Sequence, residues 1–528
     1  SAEMKNRENV QKRSKNKSER RNGLLRLIVA AFLILLQGVW FVLAFTKLGS
    51  YYRWISMAVT ALSFFIVLVI YGTHINSAQK ISWTILIFAL PVLGIFMYIW
   101  FTVYESTGFM KKRYAKIDSQ LFPLLPADST VLKKLERADF TVANMFRYVS
   151  TKSHFPVYDA TDTKFFAHAS DAFEVQLEAV KKAKKFIFME YFAVEDTEAF
   201  HELESILVKK VSEGVEVRLL YDDIGSISYV TYSFKKRLEA EGIRCRVFNP
   251  VLFPVFHVFL NHRDHRKITV VDGKIGFTGG YNIANEYFNI THPHGYWKDT
   301  GVKLEGDAVK SLTMMFLETW NAINIKERNI DNFDKYLSQS EPSAKSAGFI
   351  QPYADSPMDH AHTGEDVYMN IINAAKHYVY ISTPYLIIMD EMSKALCLAS
   401  ERGVDVRIIT PGIPDKKIIY KLTRSYYTRL VRSGVRIFEY TPGFNHAKQV
   451  ASDDCIATCG TVNFDFRSFY YHFEDGVLMY NCDAVGQIKR DFEITFPQCR
   501  EVTEKYRSER NIASRFTDGL FRLFAPLL

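Results

Sequence analysis

Three long apolar runs occupy the first hundred residues: Leu27 to Phe45, Trp54 to Tyr71 and Ile81 to Tyr104. Each is long enough to cross about 30 Å of hydrocarbon as a helix. Aromatic side chains lie mostly near the ends of the runs, as interfacial anchors do. Pro91 and Gly94 fall inside the third run, for which a buried soluble helix and a kinked or re-entrant segment are alternatives. The pattern therefore predicts an N-terminal region of transmembrane helices.

Beyond residue 158 the pattern changes to short β-branched runs that alternate with amphipathic segments. Thr197 to Val211 and Glu391 to Arg402 have the spacing of amphipathic helices, and the runs between such segments have the length of buried strands. This alternation is typical of an α/β fold in which helices cover a central sheet. At the end of the chain, residues 511–528 indicate an amphipathic helix that lies on the membrane or packs on the core.

The α/β region contains an internal repeat. Gly214-Val-Glu-Val-Arg-Leu-Leu is matched by Gly403-Val-Asp-Val-Arg-Ile-Ile. The first copy has about ten extra residues within the apolar stretch Asn249 to Arg263, which is either a membrane-dipping loop or a loop packed on the other copy. We predict six segments: a basic tail (1–23), a membrane region (24–104), a connector (105–158), two half-domains (159–340 and 341–510) and the C-terminal helix (511–528).

One chemical signature occurs twice, once in each copy. It reads His-x-Lys-x4-Asp and comprises His265, Lys267 and Asp272 in the first copy and His446, Lys448 and Asp453 in the second. A small-residue turn, an asparagine and a glutamate follow each motif: Gly279, Gly280, Asn282 and Glu286, then Gly460, Thr461, Asn463 and Glu474. Two copies with matching tails predict one active site that two half-domains assemble.

The motif residues suit chemistry on a phosphodiester. This group is anionic, so positive side chains on its non-bridging oxygens lower the barrier to attack, most strongly where water is excluded. Histidine forms covalent phospho-enzymes and exchanges protons near neutral pH. In each motif the histidine and lysine are two residues apart, so on a strand they share one face. We count all six motif residues in the catalytic set, and interpret each aspartate as a scaffold for its loop.

These residues resemble the phospholipase D superfamily and, with the apolar runs, bacterial cardiolipin synthases of the phospholipase D type. The resemblance covers roughly residues 54–528. Two positions depart from the family's pattern, because Thr461 stands where serine is usual and His472 where asparagine is usual. The matching stretches are His-Arg-Lys-Ile-x-Val-x-Asp-Gly, Gly-Gly-x-Asn-Ile-x-x-Glu-Tyr, Trp297-Lys298-Asp299-Thr300 and Asn463-x-Asp465-x-Arg467-Ser468.

The resemblance implies N-terminal transmembrane helices followed by two repeated phospholipase D-like α/β/α half-domains. It implies a phosphatidyltransferase that joins two phosphatidylglycerol molecules into cardiolipin and releases glycerol. His265 would be the nucleophile and His446 the general acid and base, or the reverse. The resemblance also implies the remaining roles: phosphate would be held by Lys267, Lys448, Asn282 and Asn463, and the histidines would be oriented by Glu286 and Glu474.

The distribution of charge limits the classes of binding partner that the chain is expected to have. Residues 1–26 hold nine Lys and Arg and three Glu, which leaves only about +2 of the net +8 for the rest of the chain. A nucleic-acid partner is therefore not expected. We expect a multi-pass protein of the cell membrane, a phospholipid substrate, and no metal or cofactor, since the lysines supply the charge. A phospholipase D that passes the phosphatidyl group to water is the alternative, and a homo-oligomer is left open.

Overall fold

The structure is a computed structural model that describes residues 35, 38–39, 49–99, 108–125, 127–230, 232–250, 261–324, 330–337, 347–359, 361–508 and 512–527. The chain divides into two compact units. The first comprises residues 1–108, 251–261 and 512–528, and the second residues 109–250 and 262–511. Most of the first predicted apolar run (27–45) and most of the extra stretch 249–263 lie outside the described residues.

The first unit contains helices α1 (Gly49–Gly72), α2 (Ser77–Ala89) and α3 (Pro91–Tyr98). Among the described residues, Trp54–Gly72 is the one helical stretch long and apolar enough to cross a membrane. The third predicted run breaks at Leu90, because Pro91 disfavours helical geometry in the residue before it and has no N–H of its own. Over its described residues this run forms two short helices instead of one long span.

Helix α3 packs closely on the end of α2. A Cβ added at Gly94 would lie 2.8 Å from the Cα of Ile87, so only glycine allows this backbone approach. The rings of Trp83 and Tyr98 meet edge to face, 5.5 Å apart. In the same unit the C-terminal helix Ile512–Phe524 packs on α2, where Ser82 donates a hydrogen bond to the carbonyl of Leu523 at 2.6 Å.

The second unit opens with three helices where the sequence indicated a mixed connector. They are α4 (Gly108–Leu121), α5 (Ser129–Ala138) and α6 (Phe140–Ser153). Asp128 and Asp139 cap the last two, since each side chain accepts a hydrogen bond from a backbone N–H of the first turn.

Over its described residues, the first half of the α/β region contains nine strands: β1 (Thr161–Phe166), β2 (Phe186–Tyr191), β3 (Glu216–Asp222), β4 (Arg244–Phe248), β5 (Arg263–Asp264), β6 (Lys267–Val271), β7 (Ile275–Gly279), β8 (Tyr296–Lys298) and β9 (Gly301–Gly306). Seven of them form a sheet in the order β1-β9-β7-β6-β2-β3-β4, and β5 and β8 are not part of it. Within the sheet, β2, β3 and β4 are parallel, and the other neighbours are antiparallel. The helices are α7 (Ala169–Lys181), α8 (Glu198–Ser212), α9 (Asp223–Ser226), α10 (Tyr232–Ala240) and α11 (Val309–Ile323).

The second half contains the strands β10 (Phe349–Asp355), β11 (Tyr378–Ser382), β12 (Leu386–Ile387), β13 (Asp405–Pro411), β14 (Arg436–Tyr440), β15 (Gly443–Asn445), β16 (Gln449–Ser452), β17 (Ile456–Gly460), β18 (Phe464–Asp465), β19 (His472–Tyr480) and β20 (Cys499–Glu501). Its sheet repeats the order of the first as β10-β19-β17-β16-β11-β13-β14 and adds the edge strand β20, whereas β12, β15 and β18 are not part of it. Its helices are α12 (Thr363–Ala374), α13 (Asp390–Glu401), α14 (Lys417–Ser425), α15 (Tyr427–Arg432), α16 (Phe466–Tyr470), α17 (Asp483–Thr495) and α18 (Thr503–Arg507).

The central strands are covered on both faces. Every residue of β2 and β6 is buried, as expected for strands between two helical layers. Helices α7 and α8 pack on one face of the first sheet, while α11 contributes to a core that also contains α17 and strands of the second sheet. The prediction of an α/β fold is confirmed, and the shared core joins its two halves.

Candidate active site

Each motif histidine is held by a strand of the opposite half. Strand β5 ends just before His265 and pairs in parallel with the start of β19, where the His265 N–H donates to the carbonyl of Phe473 at 2.9 Å. Strand β15 ends just before His446 and pairs in parallel with β8, where the His446 N–H donates to the carbonyl of Lys298 at 2.7 Å. These equivalent pairings bring the two motifs to one place.

A carboxylate from the opposite half contacts each imidazole. Glu474 lies 2.9 Å from Nδ1 of His265, and Asp299 lies 2.6 Å from Nδ1 of His446. Both carboxylates are fully buried. An Nδ1–H that donates to a carboxylate fixes the tautomer and leaves Nε2 for chemistry. Each half therefore supplies one histidine and the carboxylate that orients the other.

The resemblance implied that Glu286 and Glu474 orient the histidines, whereas the carboxylates beside the two Nδ1 atoms are Glu474 and Asp299. Asp299 lies two residues before the start of β9, the strand equivalent to β19, which carries Glu474. A shared local pattern could have revealed this pair. Both carboxylates lie two residues before a Gly-Val, in Asp299-Thr-Gly-Val and Glu474-Asp-Gly-Val.

The two motif lysines lie in the same buried site. Nζ of Lys448 is 2.8 Å from Nε2 of His446, and Nζ of Lys267 donates to the carbonyl of His265 at 2.5 Å. Burial lowers the pKa of Lys267 to about 8 and that of Lys448 to about 7. Burial and the two lysines hold the pKa of each histidine well below its usual value. An anionic group is what this arrangement would stabilise.

Asp299 is itself perturbed by its surroundings. Burial raises the pKa of Asp299 to about 6, although Lys448 and Lys267 oppose that shift. Its Oδ1 also accepts a hydrogen bond from the N–H of Thr300 at 2.9 Å. A Cβ added at Gly280 would lie 2.1 Å from that oxygen, so the glycine of the small-residue turn makes room for the carboxylate.

The motif aspartates tie two loops together. Asp272 accepts hydrogen bonds from the backbone N–H groups of Lys184, Lys185 and Phe186 at 2.6–2.9 Å. In the second half, Asp453 accepts three equivalent bonds at 2.7–3.0 Å, from the N–H groups of residues 376–378. Both aspartates have φ between 50° and 60°, the left-handed turn region that Asp tolerates. Each therefore anchors a hairpin turn to the beginning of a central strand.

The two predicted phosphate-binding asparagines differ in their contacts. Asn282 accepts from the N–H of Ala193 at 3.0 Å and donates to the hydroxyl of Tyr287 at 2.8 Å, so its amide positions the loop. The Oδ1 atom of Asn463 is buried and has no hydrogen-bond partner in the described part of the chain. Asn463 is thus the asparagine whose amide has unused hydrogen-bonding capacity.

Apolar rings surround the histidines. The ring of Phe192 lies 5.1 Å from that of His265, and the rings of Tyr287 and Trp297 each lie 5.4 Å from that of His446. Aromatic walls exclude water and strengthen electrostatic interactions inside the site.

A third histidine, His472, lies beside the first motif. Its ring is 5.4 Å from the ring of His265, and its Nδ1 is 3.6 Å from Oε1 of Glu474. The other oxygen of Glu474 accepts a hydrogen bond from Thr461 at 2.5 Å. Burial lowers the pKa of His472 to about 3, so its ring is neutral near pH 7. Histidine at position 472 is one of the two departures from the family's sequence pattern, and in the structure this side chain lies beside His265.

Comparison with known proteins agrees with this geometry. A family model described as "Cardiolipin synthase, PLD-like domain" matches residues 177–312 and 368–495. The cardiolipin synthase 2 of Bacillus anthracis is 32% identical over 474 residues, which are 89% of this chain and 90% of that protein. The cardiolipin synthase of Alkalihalophilus pseudofirmus is 31% identical over 510 residues, which are 95% of this chain and 99% of that protein.

A solved structure shares the fold. The phosphatidylserine synthase of Haemophilus influenzae aligns with 72% of this chain and 99% of its own length, with a TM-score of 0.55. At 16% identity this likeness shows a common fold and no more.

Proposed function

Because the chain belongs to the cardiolipin synthase family of phospholipase D-like proteins, we propose that it joins two phosphatidylglycerol molecules into cardiolipin and releases glycerol. The chain is a phosphatidyltransferase and its substrate is a phospholipid. The observation that carries the proposal is the pair of crossed contacts, His265 with Glu474 and His446 with Asp299. Two oriented histidines at one site suit a reaction in two displacement steps.

In the first step, Nε2 of His265 attacks the phosphorus of one phosphatidylglycerol. The bond between phosphorus and the glycerol headgroup oxygen breaks, and His446 gives that oxygen a proton as glycerol leaves. Lys267 and Lys448 neutralise the charge on the non-bridging oxygens, while Glu474 stabilises the positive charge on His265. The product is a phosphatidyl-histidine, in which the phosphatidyl group is bonded to the enzyme through nitrogen.

In the second step, His446 takes a proton from the terminal hydroxyl of a second phosphatidylglycerol. That oxygen attacks phosphorus, the bond between phosphorus and His265 breaks, and cardiolipin is released. Asp299 stabilises the imidazolium form of His446, which is present before the first step and forms again in the second. No external energy source is needed, because one phosphodiester is exchanged for another.

We place this reaction at a membrane. The helix Trp54–Gly72 is long enough to anchor the chain in a bilayer, and the apolar run 27–45 is the candidate for a further span. A multi-pass protein of the cell membrane would keep both lipid substrates within reach of one site. Residues 159–340 and 341–510 would each supply half of that site.

The test is a product analysis with purified full-length protein in liposomes that contain phosphatidylglycerol alone, with chelator and without nucleotide. Mass spectrometry should detect cardiolipin and glycerol in equal amounts. Phosphatidic acid without cardiolipin would mean that water is the acceptor and that the enzyme is a phospholipase D. His265→Asn and His446→Asn are the controls, and neither should form product.

A further inference from the structure

His265, His472 and Glu474 form a compact group of metal-ligand atoms. One ligand atom from each side chain lies within 4.8 Å of the other two, and the described residues contain one other group of this kind. Two imidazoles and a carboxylate are ligands that zinc favours. Histidine at position 472 is what completes the set.

Two of the three ligand separations are close to those around a tetrahedral ion. Zinc binds nitrogen at about 2.0–2.1 Å and carboxylate oxygen at about 2.0–2.2 Å, which places tetrahedral ligand atoms roughly 3.3–3.4 Å apart. Oε1 of Glu474 lies 3.0 Å from Nδ1 of His265 and 3.6 Å from Nδ1 of His472. These two distances lie on either side of the tetrahedral value, so each of these two pairs reaches it by a small side-chain movement.

The group also has free ligand capacity. Nδ1 of His472 is buried and makes no hydrogen bond among the described residues. Thr461 donates to Oε2 of Glu474, and Oε1 lies between the two imidazoles, 3.0 Å from Nδ1 of His265 and 3.6 Å from Nδ1 of His472. An imidazole nitrogen without a partner, next to a carboxylate and a second imidazole, is an arrangement that a cation would satisfy.

The other group, Asp196, His201 and Glu204, is different. Arg237 donates hydrogen bonds to both Asp196 and Glu204, so its guanidinium already neutralises these carboxylates. A second cation would have to displace a bidentate ion pair. This group is therefore a suitable control.

We propose that His265, His472 and Glu474 bind a divalent transition-metal ion of the zinc class, and that this ion inhibits the enzyme. The inhibition rests on the function proposed above, whereas the binding does not. A metal ion on Nδ1 of His265 forces its proton onto Nε2, which then has no lone pair for phosphorus. A metal ion on Nε2 blocks the attacking atom directly. Either ligation stops the first step without any bond being made or broken in the substrate.

The experiment compares three proteins in the cardiolipin assay at buffered free Zn²⁺: wild type, His472→Asn and His201→Asn. Zn²⁺ should inhibit the wild type and His201→Asn equally, and chelator should restore both. Loss of a ligand should raise the inhibitory concentration for His472→Asn by at least about tenfold, since even outer partners of a metal site contribute 10- to 100-fold to affinity. Equal inhibition of all three proteins, or none of the wild type, overturns the proposal.

A second readout does not depend on turnover. Co²⁺ is titrated into the His201→Asn protein in detergent, with and without His472→Asn, and visible absorption of the tetrahedral ion is recorded. The band should appear with His472 present and disappear without it, even if the enzyme makes no cardiolipin. A band that survives His472→Asn, or no band at all, means that this group is not the metal site.

Discussion

Replacement of Asp299 by Asn tests the crossed arrangement of the two halves. Asn keeps the size of the side chain but removes the negative charge 2.6 Å from Nδ1 of His446. The imidazolium that forms when His446 takes a proton then loses its counter-charge in a buried site. A hydrogen bond to a charged group contributes about 1.5–3 kcal/mol. Since each 1.36 kcal/mol is tenfold in rate, kcat should fall about 10- to 150-fold.

The assay measures cardiolipin formation from phosphatidylglycerol at saturating substrate, together with the thermal unfolding midpoint. The midpoint shows whether the substitution disturbs the fold or only the chemistry. Glu286→Gln is the matched control. The repeat in the sequence makes Glu286 the equivalent of Glu474, whereas in the structure Asp299 holds the equivalent position beside His446. Glu286→Gln should cost much less activity than Asp299→Asn. A larger loss from Glu286→Gln, or full activity in Asp299→Asn, would refute the assignment of Asp299.

Three further predictions follow from the same site. Burial lowers the pKa of Lys448 to about 7, so its charge is complete only below that pH; kcat/KM should fall as pH rises through about 7–8, and a flat pH profile would contradict this. Asp272→Ala removes the acceptor of three backbone hydrogen bonds, so the free energy of unfolding should fall by about 1–3 kcal/mol and the thermal unfolding midpoint by several degrees. An unchanged midpoint would show that the loop needs no anchor. Gly280→Ala places a methyl group 2.1 Å from Asp299 and should lower kcat with little change in KM, measured in the same lipid assay; wild-type kcat would contradict the close approach.

Local features of the site were predictable from the sequence. The spacing of two residues puts histidine and lysine on one strand face, and the Asp272-Gly273 pair indicates a turn. These depend on neighbouring residues alone. The α/β class also follows from a local signal, because fully buried strands such as β2 and β6 appear as unbroken apolar runs.

Long-range features were not predictable in the same way. The contact between His446 and Asp299 joins residues of different halves. The loop between Asn282 and Tyr296 also makes the distance in sequence from the asparagine to the carboxylate longer in the first copy than in the second. The break at Leu90 was visible only as a proline inside an apolar run, since hydropathy does not report whether a helix bends or ends. Asp128 and Asp139 are helix-capping residues within the segment that the sequence indicated only as a mixed connector.

The most direct test of the account is to locate the covalent intermediate. The substrate is a phosphatidyl ester of p-nitrophenol, whose p-nitrophenolate leaves without needing a proton. The adduct can therefore form in His446→Asn, and it accumulates because this variant lacks the base for the second step. Peptide mass spectrometry after rapid quenching should find the phosphatidyl group on His265 in this variant and no adduct in His265→Asn. An adduct on His446 in His265→Asn, with none in His446→Asn, would contradict the assigned roles.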